Sequence, residues 1–415
     1  MINNTGNISG GNGEAILTNS GNDTINWSGG MITGSIRLAA GNDAATLSGL
    51  TNTTLAGVPW FDRGPGTDVL TFNRTQASGL SRFLNWETVN VTNGSQLTLD
   101  SAGMTLGDSG TLTGALNIDS TSTLFEGGLG DPSIMPAVAG QLVAVSNAGT
   151  IDLTSGGTGT SDALVVNGNY VGLNGRLLLQ SVLGADSSPS DRLVIMQGTG
   201  SGNTSIDVTN VGGTGGATVT DGIMVVQATN GATTTASAFT LPRPLVAGAY
   251  TYYLFKGGVS AGTVDNWYLR SSIAAAPTPT STSAPTGTPV AAAGTPSLPP
   301  PPPAGAAPTP LYRMEVPVYA EVPVLARELS IAQTGTFHDR QGEQSLLGET
   351  GALPAAWARV WGEHATQRND GAVDPEFSGT LGACRWATTC TPMRPQAAIA
   401  TTMASFSGSL ERRAT

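Results

Sequence analysis

The sequence predicts an all-β chain wound as a solenoid, and three observations carry that expectation. Glycine supplies 56 of the 415 residues while charged residues make up only 11%, against about 7% and about 25% in an average soluble domain. Such a composition disfavours helices, which avoid glycine and draw on charged i,i+4 pairs. Hydrophobic residues, 39% of the chain, are too many for a solvated disordered chain. They arrive in short runs that alternate with polar residues, the period of a half-buried strand. Finally, Gly21-Asn-Asp-Thr-Ile-Asn-Trp-Ser-Gly29 returns twenty residues later as Gly41-Asn-Asp-Ala-Ala-Thr-Leu-Ser-Gly49, with a weaker echo at Gly66-Thr-Asp-Val-Leu-Thr-Phe72. A repeat of that length cannot bury its apolar face alone, so stacked coils must supply the core.

Residues 1–180 hold the clearest alternating runs: Glu14–Thr18, Ser35–Ala39, Gln96–Asp100, Ala115–Asp119 and Thr150–Thr154. Gly and Asn between them suit tight corners that need positive φ. Residues 181–273 stay β-like but lose the repeat. Their aromatic runs Ala249–Phe255 and Asp265–Arg270, separated by a glycine-rich stretch, read as a hairpin. A solenoid end exposes apolar surface, and this zone is the natural cap. Residues 274–310 are almost wholly Ala, Pro, Thr, Ser and Gly, with five consecutive prolines at 299–303, and read as a disordered, extended linker. Beyond it, the chain is expected to turn helical from about Pro323 to Gln341. Ala356-Trp-Ala-Arg-Val-Trp-Gly362 then alternates in the manner of a membrane β-strand.

The rare residue types bound the chemistry. Lys256 is the only lysine and the net charge is -11, so nucleic-acid binding is excluded as a function. Both cysteines, Cys384 and Cys390, and both histidines, His338 and His364, lie late in the chain. Residues 1–337 therefore lack the histidine of a Ser-His-Asp triad or a histidine metal site. The start, Met1-Ile-Asn-Asn-Thr-Gly-Asn-Ile-Ser9, has neither the basic nor the apolar region of a signal peptide. No apolar run reaches the length of a spanning helix.

Leu311-Tyr-Arg-Met-Glu-Val-Pro-Val-Tyr319, Trp357-Ala-Arg-Val-Trp-Gly362, Pro189-Ser-Asp-Arg-Leu-Val-Ile195 and Asp265-Asn-Trp-Tyr-Leu-Arg270 together resemble an autotransporter of the pertactin-like kind (type V secretion). The resemblance implies a right-handed parallel β-helix passenger over 1–180 and an autochaperone-like cap over 181–273. After the 274–310 linker it implies a lumen helix and the first strand or strands of the outer-membrane barrel over 311–382. It places the chain at the cell surface of a Gram-negative bacterium, with the outer membrane as partner through a complete barrel. The sequence departs from the family where Gly382-Ala-Cys-Arg-Trp-Ala-Thr-Thr-Cys390 lacks the alternation and aromatic belt of barrel strands. The expectation is a reading-frame shift near residue 382, a disordered tail over 383–415, and a fragment lacking both native ends.

No catalytic, cofactor-binding or metal-binding residue is assigned. Gly107-Asp-Ser-Gly110 resembles a serine-protease nucleophile loop, but no histidine precedes it and turn chemistry accounts for it. The repeated Gly-Asn-Asp resembles a calcium-binding β-roll, yet its period is twenty rather than nine, so Asp23, Asp43 and Asp68 are expected to make Asx turns at corners. Tyr250, Tyr252, Tyr253, Phe255, Trp267 and Tyr268 are expected to pack the cap in preference to forming a sugar platform. His338 and His364 are expected to be solvated or lumen-facing. The function expected is a non-enzymatic passenger for adhesion or presentation, without cofactor, whose cap promotes folding during translocation; its host or surface ligand is not readable. Two rivals stand: a β-helix carbohydrate-active enzyme or protease that has lost its catalytic N-terminal part, and the calcium β-roll.

Overall fold

A computed structural model describes residues 1–128, 130–157, 159–276, 288–334, 356–368, 373, 375–388 and 399–411. It divides into two compact units, Met1–Leu311 and Tyr312–Thr415.

The first unit is a parallel β-helix. The alternating runs form short strands that stack in parallel register, coil upon coil. One inward column runs Ile2, Ile25, Ala45, Leu70, Val89, Leu116, Val145 and Tyr170. From Ile25 onward it is buried throughout. A second face carries Ala77, Leu97, Leu124, Ile151 and Leu177 in register. A third carries Met104, Ile134 and Val166. Each strand thus has one apolar side that only a neighbouring coil and the opposite faces can cover, and the period-two pattern does that work. Among the three repeats, Ile25, Ala45 and Leu70 lie directly above one another. So do the glycines that open them: a Cβ on Gly41 would overlap the carbonyl of Gly21, and one on Gly66 that of Gly41.

Parallel stacking continues past residue 180. The 19-residue strand Ala163–Ser181 pairs along its length with Arg192–Asn210, whose residues 193–196 pair in parallel with 226–229. Strand Ile223–Thr229 is where the direction changes, because its other edge pairs antiparallel with Trp267–Leu269. The expected hairpin is present, with Leu254 opposite Leu269.

Two expectations over residues 274–310 and 311–382 are corrected. The described part of the linker is not disordered: Val290–Ala291 pairs with Phe255 and Lys256, and Thr309–Pro310 with Ser272 and Ile273. Ala292 and Leu311 are buried beneath these strands. Backbone hydrogen bonding holds the segment, for which composition is no guide; residues 277–287 lie outside the described residues. The helix spans Val316–Thr334, beginning before Pro323 and containing it. Pro317 sits in the first turn, where its missing N–H costs nothing, so the helix can start there. The expected end at Gln341, and His338, lie outside the described residues.

The second unit also contains an antiparallel sheet of Ala356–Arg368, Glu376–Thr388 and Ile399–Glu411. The expectation of a disordered tail over 383–415 is corrected for 383–388 and 399–411. The middle strand passes through Gly382 without a break, and Ala383, Leu381 and Phe377 pair with Ala404, Phe406 and Leu410. Those partners alternate with serines at 405, 407 and 409, which is the strand period. Among the described residues no helix is long and apolar enough to cross a membrane, a statement that does not bear on barrels.

Candidate functional site

The Gly-Asn-Asp repeat puts acids at one corner of successive coils. The N–H of Asp23 donates to Oδ1 of Asp43 at 2.7 Å, that of Asp43 to Oδ1 of Asp68, and that of Asp68 to Oε2 of Glu87 at 2.9 Å. Each carboxylate therefore answers the preceding coil. The Asx turns expected at these aspartates are replaced by a ladder between coils; Asp100, Asp119 and Asp152 do make such turns, each accepting the N–H two residues on. Beside the ladder, the N–H of Asn42 donates to Asn22 and that of Thr67 to Asn42.

A cation that sequence reading passed over completes the corner. Arg63, fully buried, contacts Asp68 and Glu87 and stands 3.7 Å from Asp108. Burial raises the carboxyl of Asp68 to about 6 despite the guanidinium, and neighbouring Asp43 and Glu87 push the same way. Asp108 behaves oppositely. Burial acts to raise it, but hydrogen bonds from Thr111 and Gly110 and the charge of Arg63 hold it below the usual carboxylate range. The Gly107–Gly110 segment is thus a turn whose aspartate faces the column, while Ser109 is exposed.

The capping zone closes the stack with residues used once. Asp191 accepts the N–H of Asp162 at 3.1 Å and of Gln180 at 2.7 Å, tying the residue before Ala163–Ser181 to the far end of that strand. Burial pushes its carboxyl up to about 6. Asp186 gathers the N–H groups of Val219, Thr220 and Gly222, and Asp221 those of Val259 and Ser260. The hydroxyl of Tyr252 donates to the carbonyl of Gly184 at 2.7 Å and accepts the N–H of Gly216 at 2.8 Å. In the segment 265–270, Asp265 accepts the N–H of Thr234 and the Nζ ammonium of Lys256, Asn266 accepts the N–H of Ala228, and the Trp267 indole donates to Thr234 Oγ1 at 3.0 Å. Arg270, fully buried, donates to the carbonyls of Thr220 and Ser272 and lies over the ring of Phe255. Apart from the side-chain bonds of Lys256 and of the Trp267 indole, these bonds satisfy backbone groups that a solenoid end would otherwise leave open.

The aromatic group is packed. Tyr252, Phe255, Trp267 and Tyr268 are buried, while Tyr250 and Tyr253 are half-buried. Phe239 bridges Tyr170, stacked at 5.9 Å, and Trp267, edge-on at 5.4 Å, which welds cap to last coils. His364 is exposed. Cys384 is exposed and free, and Cys390 lies outside the described residues. Among the described residues no group of three or more His, Cys, Asp or Glu is placed to hold a metal ion. A shallow cleft of about 260 Å³ is lined by Arg176, Asp207, Leu241 and Arg243, with Arg176 and Asp207 already paired at 2.7 Å.

Residues 140–254 match the family described as autochaperone domain type 1. Over 281 residues, 62% of the chain, it is 31% identical to the adhesin BmaC autotransporter of Brucella suis biovar 1 (strain 1330). It is 32% identical over 176 residues to the probable autotransporter YfaL of Escherichia coli (strain K12), and 33% over 111 residues to the autotransporter adhesin AIDA-I of Escherichia coli, covering 41% and 26% of the chain. The chain spans 7%, 13% and 8% of the lengths of these three relatives. A parallel β-helix closed by an aperiodic antiparallel end, with that match and those relatives, makes the chain similar to an autotransporter passenger, with an autochaperone domain type 1 match over residues 140–254.

Proposed function

We propose that the first unit is a non-enzymatic cell-surface module of a Gram-negative bacterium, serving adhesion or presentation, and that its capping zone, about 181–273, directs folding as the chain crosses the outer membrane. The observation that carries the folding role is the change of direction at Ile223–Thr229, where a repetitive parallel stack meets bonds that occur once. A coil that docks on a finished cap finds a ready hydrogen-bonding edge and apolar face. The first coil of an isolated stack finds neither. Folding outside the pore then makes backward diffusion costly, which supplies direction without a fuel. Adhesion rests on the names of the Brucella and AIDA-I relatives.

Refolding of the full chain from urea tests the folding role. Trp267→Ala in the cap and Leu47→Ala in a coil each remove a fully buried side chain. A templating cap predicts slower refolding for the first and mainly faster unfolding for the second. Equal refolding rates would sink the idea. For the second unit we propose the opening of the translocator, a helix followed by barrel strands.

A further inference from the structure

Five acids line one corner of the stack and one cation answers them. Asp68, Glu87 and Asp108 reach Arg63 from three successive coils, and Asp43 and Asp23 extend the row on the side away from it. The other groups facing the cluster are neutral: Thr111 Oγ1 donates to Glu87 at 2.6 Å, and the carbonyl of Asn85 accepts from Arg63. Among the described residues, no second Lys, Arg or His forms an ion pair with the row. Asp43 is 2% exposed and Asp68 fully buried; Oδ2 of Asp43 has no hydrogen-bond partner, and Oδ2 of Asp68 meets only the guanidinium of Arg63. Full ionisation would leave several buried negative charges on a single guanidinium, a state the surroundings cannot compensate. A neutral carboxyl removes the excess.

We propose that the Asp43–Asp68 pair takes up a proton from solution as its surroundings become mildly acidic, and that this proton tightens the stacking of the coils around Arg63. Asp43 is linked to Asp68 directly: its N–H donates to Oδ1 of Asp68, and its charge pushes the Asp68 carboxyl up. Burial raises both, Asp68 to about 6 from the 3.8 of an unfolded chain. The folded state then binds more protons than the unfolded one between those values. The stabilisation is fully present below the unfolded value and is lost as pH rises through about 6. Histidine, the side chain that usually titrates in this window, is absent from residues 1–337. The first unit therefore has carboxylates alone to respond with.

Urea unfolding of the full chain, followed by circular dichroism from about pH 4.5 to about pH 7.5, reads the effect. The midpoint should fall as pH rises, and Asp68→Asn, which cannot ionise, should remove a clear part of that slope. Asp207→Asn, at an exposed pair, and a His338→Gln/His364→Gln chain should keep it. A flat or rising midpoint in the unaltered chain, or a full slope in Asp68→Asn, overturns the proposal. Should Asp68→Asn not fold, infrared spectra of the unaltered chain decide. A protonated-carboxyl band growing between about pH 7 and about pH 5, and reduced in Asp43→Asn, supports the pair; no such band refutes it.

Discussion

The coils and the cap of the first unit solve the same problem in opposite ways. In the coils, like answers like: Ile25, Ala45 and Leu70 stack, Asn22 meets Asn42, and Asp23 meets Asp43. Sliding the chain by one coil would exchange chemically similar partners along these columns. In the cap no partner recurs. Tyr252 reaches Gly184, Asn266 reaches Ala228 and Trp267 reaches Thr234, across 68, 38 and 33 residues of chain. Repetition supplies buried area; the unrepeated contacts choose one register among many.

Substitutions can break that contrast from either side. The largest effect is expected from Trp267→Ala, about 3–5 kcal/mol in urea unfolding, accompanied by the refolding defect that Leu47→Ala should lack. Arg63→Met should follow closely, at about 3–5 kcal/mol near neutral pH, because it strands buried carboxylates. Its loss should shrink on acidification; an Arg63→Met chain equally weak at all pH values would mean the cation only fills space. Asp191 tests the cap-side corner. Its carboxyl is raised in the folded state to about 6 from 3.8. It therefore weakens the fold as pH rises through that window, by on the order of 1–3 kcal/mol. Asp191→Asn should flatten its share of the pH dependence of the melting temperature, and an unchanged slope would show that this carboxyl is not raised in the folded state. Tyr252→Phe leaves the carbonyl of Gly184 and the N–H of Gly216 unanswered, a loss of about 1–3 kcal/mol. Smallest is Arg176→Ala at the exposed pair with Asp207, under about 1 kcal/mol.

Much of this fold could be read directly from the residues. Alternation in Ala115–Asp119 and Thr150–Thr154 located strands that form at Ala115–Ile118 and Thr150–Asp152, and the twenty-residue echo located stacked coils. What stayed hidden shares a physical cause: it depends on partners far along the chain. Arg63 lies between repeats, in no pattern, and its acids are supplied by later coils. Asp186 looks like any loop aspartate until residues 219–222 arrive above it. Val290–Ala291 sits in a proline-rich, low-complexity stretch and pairs through backbone alone, which composition does not register. The corner aspartates were recognised as corner residues, but spacing alone does not separate an acid serving its own turn from one serving the coil before it.

The strand Ile223–Thr229 gives the stack a polarity of growth. A parallel coil can be added only to an edge that still offers parallel partners, and on this side the edge is spent on an antiparallel neighbour. Beyond that neighbour and the strand Tyr250–Lys256, the outer strands among the described residues are Leu245–Ala247 and Val290–Ala291, too short to seed pairing with another chain. Head-to-tail polymerisation requires every copy to offer both a donor and an acceptor face. With one face blocked, this end of the stack does not accept a coil from a second copy.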